Sequence, residues 1–321
     1  MITQADEDSP FWMKIREDEW LKEYHAKLKE VKSRPTNQYS RIPEGMFWKL
    51  PSGVPIEGGY IPVPKDMRHA EWKKKWGVQT APEEEYWFHP AIHTFGNVGF
   101  LGGVHSVAAP LATKIIDTLA YNGRSVREEI GVMLRDKIGE ESKKVIDMGC
   151  GVGISTRALA KAFASPSNTV IGLDTSPQML QMANVQTRYH KAKDTFDSAL
   201  HKQEGSQATP KFIRSNAEST KFEDKTFDLV TIMYLCHEAP KLGRYKIFRE
   251  ARRLLKPGGT LAVVDISPEY SPSATMLAGE PYVLEYQENI HEQIEKIQGF
   301  GEREYRVVVP GHVGMWLNTR L

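Results

Sequence analysis

From about residue 111 the apolar and polar positions of this chain settle into a regular alternation of two rhythms. "LATKIIDTLAYNG" and "SVREEIGVMLRDKIG" space their apolar residues three and four apart, which predicts helices. The apolar run "KKVIDMG" (143–149) predicts a strand, followed by a helix over 155–163 and a strand "NTVIGLD" (168–174). "SPQMLQMANVQTRYHKA" predicts a further helix, with Ser176 as its N-cap and Pro177 at its first position. The polar stretch 194–209 reads as an inserted loop. Beyond it lie a short strand "PKFIRSN", a strand "TFDLVTIMYL" (226–235) and a helix through "LGRYKIFREARRLL". "KPGG" (256–259) is a turn, "TLAVVDIS" (260–267) a strand, and "REYRVVVPGHVGMWLNTRL" an antiparallel hairpin around "PGH". Strands and helices in alternation predict a doubly wound parallel sheet covered by helices on both faces.

The first 90 residues follow no such rhythm. Six of the seven tryptophans sit there, among many prolines and mixed charges. "SPFWMKIREDEWLKEYHAKLKEVKS" (9–33) predicts a helix capped by Ser9, whereas 41–64 holds too much Pro and Gly for regular structure. Periodic apolar content is too low for a separate core. Residues 1–110 therefore read as an extension and lid over the main domain, 111–321.

Composition narrows the function classes. The chain has 321 residues, 40% hydrophobic and 26% charged, with a net charge of +1, so no basic surface for nucleic acid is expected. Two cysteines, Cys150 and Cys236, provide neither a disulfide framework nor a cysteine zinc site and fit a reducing, cytoplasmic setting. The acidic N-terminus has no apolar segment of the secretory kind. Residues 95–113 lack Asp, Glu, Lys and Arg, yet five glycines or prolines make them a poor membrane span; they read as a buried loop and helix start. No metal site and no stable membrane insertion are expected.

The chemistry concentrates at "VIDMGCGVGIST" (145–156), where glycines stand at 149, 151 and 153 directly after the first strand. In doubly wound sheets ligands bind beyond the carboxyl ends of the strands, so these glycines face the expected crevice. A dinucleotide fingerprint, G-x-G-x-x-G, would need glycine where Ile154 stands. A phosphate loop would need a lysine after the turn, and none follows. Both phosphate readings fail on spacing, which leaves a nucleoside ligand without phosphate.

This stretch resembles motif I of the class I S-adenosylmethionine (SAM)-dependent methyltransferases, and three further features follow in that family's order. Asp174 ends the second strand, 23 residues after Gly151; "SNAES" (215–219) stands where the family usually carries Asp-Ala; "FDLVTIMYLCHEAP" and "EARRLLKPGGTLAVVDIS" resemble its fourth and fifth strands. The resemblance covers the core 143–268 and is nearest to the ubiquinone and menaquinone methyltransferase group. It implies a Rossmann-like, seven-stranded mixed sheet, with residues 269–321 forming an acceptor-side insertion and a C-terminal antiparallel hairpin. It also implies SAM as cofactor, held by Asp147, Gly149, Cys150, Gly151, Gly153, Asp174, Thr175, Met179, Asn216, Ala217 and Tyr234. Asp174 would take the ribose hydroxyls. Asn216, in the aspartate's place, still offers an oxygen to the adenine amino group.

Methyl transfer from a sulfonium releases a neutral thioether, so a base is needed only when the acceptor must lose a proton. The residues placed for that are His237 and Glu238 after the fourth strand, and His105 upstream; "HEAPK" lacks the H-E-x-x-H spacing of a zinc protease. His93, Asn97, Tyr270 and Tyr282 are expected on the acceptor side. The leading expectation is methylation of a small molecule at O, N, S or C. A catalytically silent SAM-binding protein and a protein or RNA methyltransferase are the alternatives.

Overall fold

The computed structural model describes residues 99–119, 121, 123–201, 208–270 and 282–321. The helix expected over 9–33, the irregular stretch 41–64, His93 and Asn97 lie outside the described residues. The elements run α1 (Gly99–Leu119), α2 (Val126–Ile138), β1 (Lys144–Met148), α3 (Ile154–Ala162), β2 (Thr169–Asp174), α4 (Pro177–His201) and β3 (Lys211–Arg214). They continue with β4 (Phe227–Met233), a 3-10 turn (Cys236–Glu238), α5 (Lys241–Leu254), β5 (Leu255–Ile266), α6 (Val283–Glu295), β6 (Phe300–Val309) and β7 (Val313–Arg320).

The seven strands form one sheet in the order β3-β2-β1-β4-β5-β7-β6. β1 to β5 are parallel, and β7 runs antiparallel to both β5 and β6. The strand order reverses between β1 and β4, and this opens a crevice at their carboxyl ends. Each central strand serves two cores by its period of two. Ile146, Met148, Val230, Ile232, Leu261 and Val263 face one side, where α5 and α6 add Ile247, Phe248, Tyr286 and Ile290. Val145, Leu229, Met233, Ala262 and Val264 face the other, where α2 and α3 add Ile130, Leu134, Leu159 and Phe163. Strands buried on both faces read in sequence as nearly unbroken apolar runs, which is why they were legible there.

Four local expectations change. Residues from Gly99 are helical rather than looped, so α1 crosses position 110 with Pro110 inside it. Its glycines do not break it, because α1 packs on α4 and tertiary contact outweighs propensity. α4 continues to His201 through residues read as a loop. The "KPGG" turn is a bulge within β5: Phe227 pairs with Leu255 but Leu229 with Thr260, and Gly258 takes φ +76°. Helix α6 occupies a segment in which no helix was expected. Among the described residues no helix is long and apolar enough to cross a membrane.

Candidate functional site

The turn from β1 into α3 uses its three glycines for different reasons, although all have positive φ (75°, 51° and 76°). A Cβ on Gly149 would lie 2.6 Å from Leu235 Cδ2, and one on Gly153 would lie 2.6 Å from Phe212 Cε1. Both glycines let neighbouring elements close in. A Cβ on Gly151 would meet no atom within 4 Å. That glycine faces open space, and the space is the crevice.

Asp174, at the end of β2, shapes the same turn. Its Oδ2 accepts the Gly151 N–H (2.8 Å) and its Oδ1 accepts the Ser176 N–H (2.9 Å). Ser176 then caps α4, its Oγ accepting the Met179 N–H at 3.2 Å, with Pro177 first in the helix. These bonds hold the carboxylate at the rim of a cavity of about 230 Å³, at the small end for a site of this kind. Gly149, Cys150, Gly151, Asp174, Thr175 and Met179 form its β1–β2 side. Asn216 and Ala217 close the β3 side, where Asn216 Oδ1 accepts the Glu218 N–H at 2.8 Å.

The facing wall comes from α1 and α2. His105, Ala109 and Thr113 stand four residues apart, on one face of α1, and line the cavity together. Arg127, second in α2, brings a cation to the cavity and lies over the Tyr234 ring, 4.3 Å from its centroid. Sequence reasoning missed Arg127: nothing in "SVREEIG" separates it from solvent-facing charges. Tyr234 is held at φ +57° as the chain leaves β4, and burial raises its phenol above the ordinary range.

Two buried charges secure the exit from β4. Asp265, in β5, accepts the N–H groups of Cys236 (2.8 Å) and His237 (3.3 Å) on Oδ2. Arg244, fully buried in α5, donates to the carbonyls of Ala239 (2.6 Å) and Cys236 (3.4 Å). The turn so held sends Leu235 and Glu238 to the cavity. His237 is buried behind it, its Nδ1 2.5 Å from Asp265 Oδ1 and its Nε2 3.8 Å from Glu238 Oε1.

Not every expected residue reaches the cavity. Asp147 does not: it is buried within the sheet, accepting from Thr156 Oγ1 (2.7 Å) and Thr231 Oγ1 (2.8 Å). Burial pushes its carboxyl up to about 6, against the hydroxyl bonds that lower it. Gly153 packs on Phe212, so its contribution is to the turn. Tyr270 and Tyr282 are buried away from the lining; Tyr270 sets its ring 4.6 Å from that of His312, which meets Tyr121 at 5.0 Å. Among the described residues no group of three His, Cys, Asp or Glu could hold a metal ion.

Residues 146–263 match the family model described as a methyltransferase domain. A demethylmenaquinone methyltransferase of Geobacillus sp. (strain WCH70) is 33% identical over 40% of this chain and 47% of its own length. A ubiquinone biosynthesis O-methyltransferase of Pasteurella multocida (strain Pm70) is 30% identical over 46% of this chain and 55% of its own. A sterol 24-C-methyltransferase of Kluyveromyces lactis is 30% identical over 39% and 29%. The chain spans about half the length, or less, of these curated relatives.

The cavity's donor set fits the cofactor of such a domain. Gly151 leaves room that a side chain would fill, Asp174 offers a carboxylate to a diol, and Arg127 offers a cation to a carboxylate. The strand order, the glycine turn and the matched segment agree: residues 146–263 match a methyltransferase domain, and SAM is the cofactor that the cavity beside them fits.

Proposed function

We propose that this protein transfers the methyl group of SAM to a small-molecule acceptor. The observation that carries the reading is the open face of Gly151 beside the fixed carboxylate of Asp174. Bound there, SAM supplies an electrophilic methyl on a positively charged sulfur. The chain's own residues do the rest. Asp174, held at the cavity rim by the Gly151 and Ser176 N–H groups, presents its carboxylate to the two ribose hydroxyls. Asn216 and Ala217 lie where the adenine edge would rest, and Arg127 pairs with the amino-acid carboxylate.

Glu238 and His105 are ionisable groups of the cavity available to the acceptor. A carboxylate at that wall favours a neutral or cationic protic acceptor over an anionic one. The relatives' names point to quinone precursors and sterols, methylated on oxygen or carbon. The test is calorimetry with SAM, followed by methyl-labelled SAM with demethylmenaquinol, a catechol quinone precursor, a sterol and a metabolite extract. We expect binding and one labelled small-molecule product. SAM binding with no methylated small molecule, under turnover conditions and with extract present, would favour the silent binder. Label found in protein or RNA would favour the macromolecular alternative.

A further inference from the structure

Asp265 is the most heavily used side chain near the cavity that no expectation from sequence included. It is fully buried at the end of β5, one strand over from the β4 exit. Oδ2 accepts two backbone N–H groups of the exit turn, and Oδ1 accepts the Ile266 N–H at 2.7 Å. Oδ1 also meets His237 Nδ1 at 2.5 Å. With three backbone N–H groups donating to it, Asp265 acts as an acceptor, and His237 presents Nδ1–H to it. The ring's other nitrogen is thereby turned toward Glu238, the carboxylate on the cavity wall. Holding the turn alone would need only the backbone bonds.

We propose that Asp265 is a positioning residue for proton removal from the methyl acceptor, acting through His237 on Glu238. This rests on the methyl-transfer reading above. In the reaction, an acceptor X–H forms an X–CH3 bond while the CH3–S bond breaks, its electron pair staying on sulfur as a neutral thioether. The X–H pair remains on X, and the proton passes to the Glu238 carboxylate, which releases it to solvent afterwards. Asp265 fixes which nitrogen of His237 carries the proton and where the ring stands. His237 in turn holds its Nε2 3.8 Å from Glu238 Oε1. The acceptor class is a protic nucleophile: a phenol or enol, an amine, or a carbon acid.

The experiment uses the full chain with labelled histidine and glutamate, in the presence of S-adenosylhomocysteine. Nitrogen NMR of wild type should show His237 protonated at Nδ1, with a far-downfield, exchange-protected proton. Asp265→Asn, which keeps an oxygen for the backbone N–H groups, should lose that proton signal and shift the titration midpoint of Glu238. S-adenosylhomocysteine affinity should stay within about threefold, since Asp265 does not line the cavity. On an acceptor found by labelling, turnover should fall roughly 10²-fold or more, and Asp265→Asn should add nothing in a His237→Ala background. A wild-type His237 without the Nδ1 proton, or an unmoved Glu238 midpoint in Asp265→Asn, overturns the proposal. Should Asp265→Asn not fold, the wild-type spectrum and the Glu238 midpoint in His237→Ala decide in its place. Failure of wild type to bind S-adenosylhomocysteine would overturn the methyltransferase reading instead, and the His237 spectra would still report on Asp265.

Discussion

The cavity is bounded by two strand exits built in opposite ways. The exit from β1 is held chiefly by backbone: three left-handed glycines, N–H groups of Gly149 and Cys150 given to the Leu173 carbonyl, and one carboxylate, Asp174, that receives the Gly151 N–H. The exit from β4 is made of side chains from other elements, with Asp265 of β5 taking its N–H groups and Arg244 of α5 its carbonyls. The first brings the open face of Gly151 to the cavity, and the second brings Tyr234, Leu235 and Glu238. A cofactor that must come close to the backbone suits a wall opened by glycine. An acceptor that varies from enzyme to enzyme suits a wall made of replaceable ones.

Substitutions break this comparison at graded strength. Gly151→Val should abolish measurable SAM binding, because its side chain enters the crevice; the left-handed backbone there (φ +51°) adds a stability cost of about 1–2 kcal/mol, so folding is checked alongside by circular dichroism. Unchanged calorimetric affinity would show that the cofactor lies elsewhere. Behind the other wall, His237→Ala should lower turnover roughly 10²-fold while SAM affinity holds, because Glu238 loses the ring that positions it. If turnover and acceptor affinity both survive, His237 does not position Glu238, and Glu238 and His105 become the residues to replace. Asp174→Ala should weaken SAM binding by about 2–3 kcal/mol, roughly 30- to 150-fold, with Asp174→Asn between. A loss of only a few tenths would reduce Asp174 to holding its turn.

Gly153→Ala should act on the fold rather than on the ligand. The left-handed backbone costs about 1–2 kcal/mol with a side chain, and overpacking on Phe212 adds about 1–3 kcal/mol, read as a lower unfolding midpoint. The smallest net effect concerns pH, since two buried groups oppose each other. Burial raises Asp147 from 3.8 to about 6, so the unfolded chain ionises first and stability falls as pH rises through that window. Burial lowers His312 from 6.5 to about 4, so the unfolded chain binds the proton first and stability rises over that window. Each slope is at most about 1.4 kcal/mol per pH unit. Denaturant melts between pH 4 and 6.5 should therefore rise more steeply with pH in Asp147→Asn, and flatten or fall in His312→Phe. Parallel curves for the variants and wild type would contradict both assignments.

Local chemistry was enough for the β1 side. Glycine is the residue that takes a left-handed turn freely, Ser-Pro opens a helix, and apolar runs of strand length mark a doubly buried sheet. Each is a property of neighbours in the chain, so the strands, the glycine turn, Asp174 and the closing hairpin were all legible in order. Asp147 shows the limit of such reading: it sits inside the motif, yet the fold aims it into the sheet, where Thr156 and Thr231 receive it. Arg127, Asp265 and Arg244 carry no local mark at all, because what distinguishes them is distance through space. Asp265 meets His237 from 28 positions away, and Arg127 reaches Tyr234 across the β4 exit. Sequence spells out the bonds a residue makes with its own turn. Packing of the strands selects which distant charges are buried together, and the β4 exit is held by those.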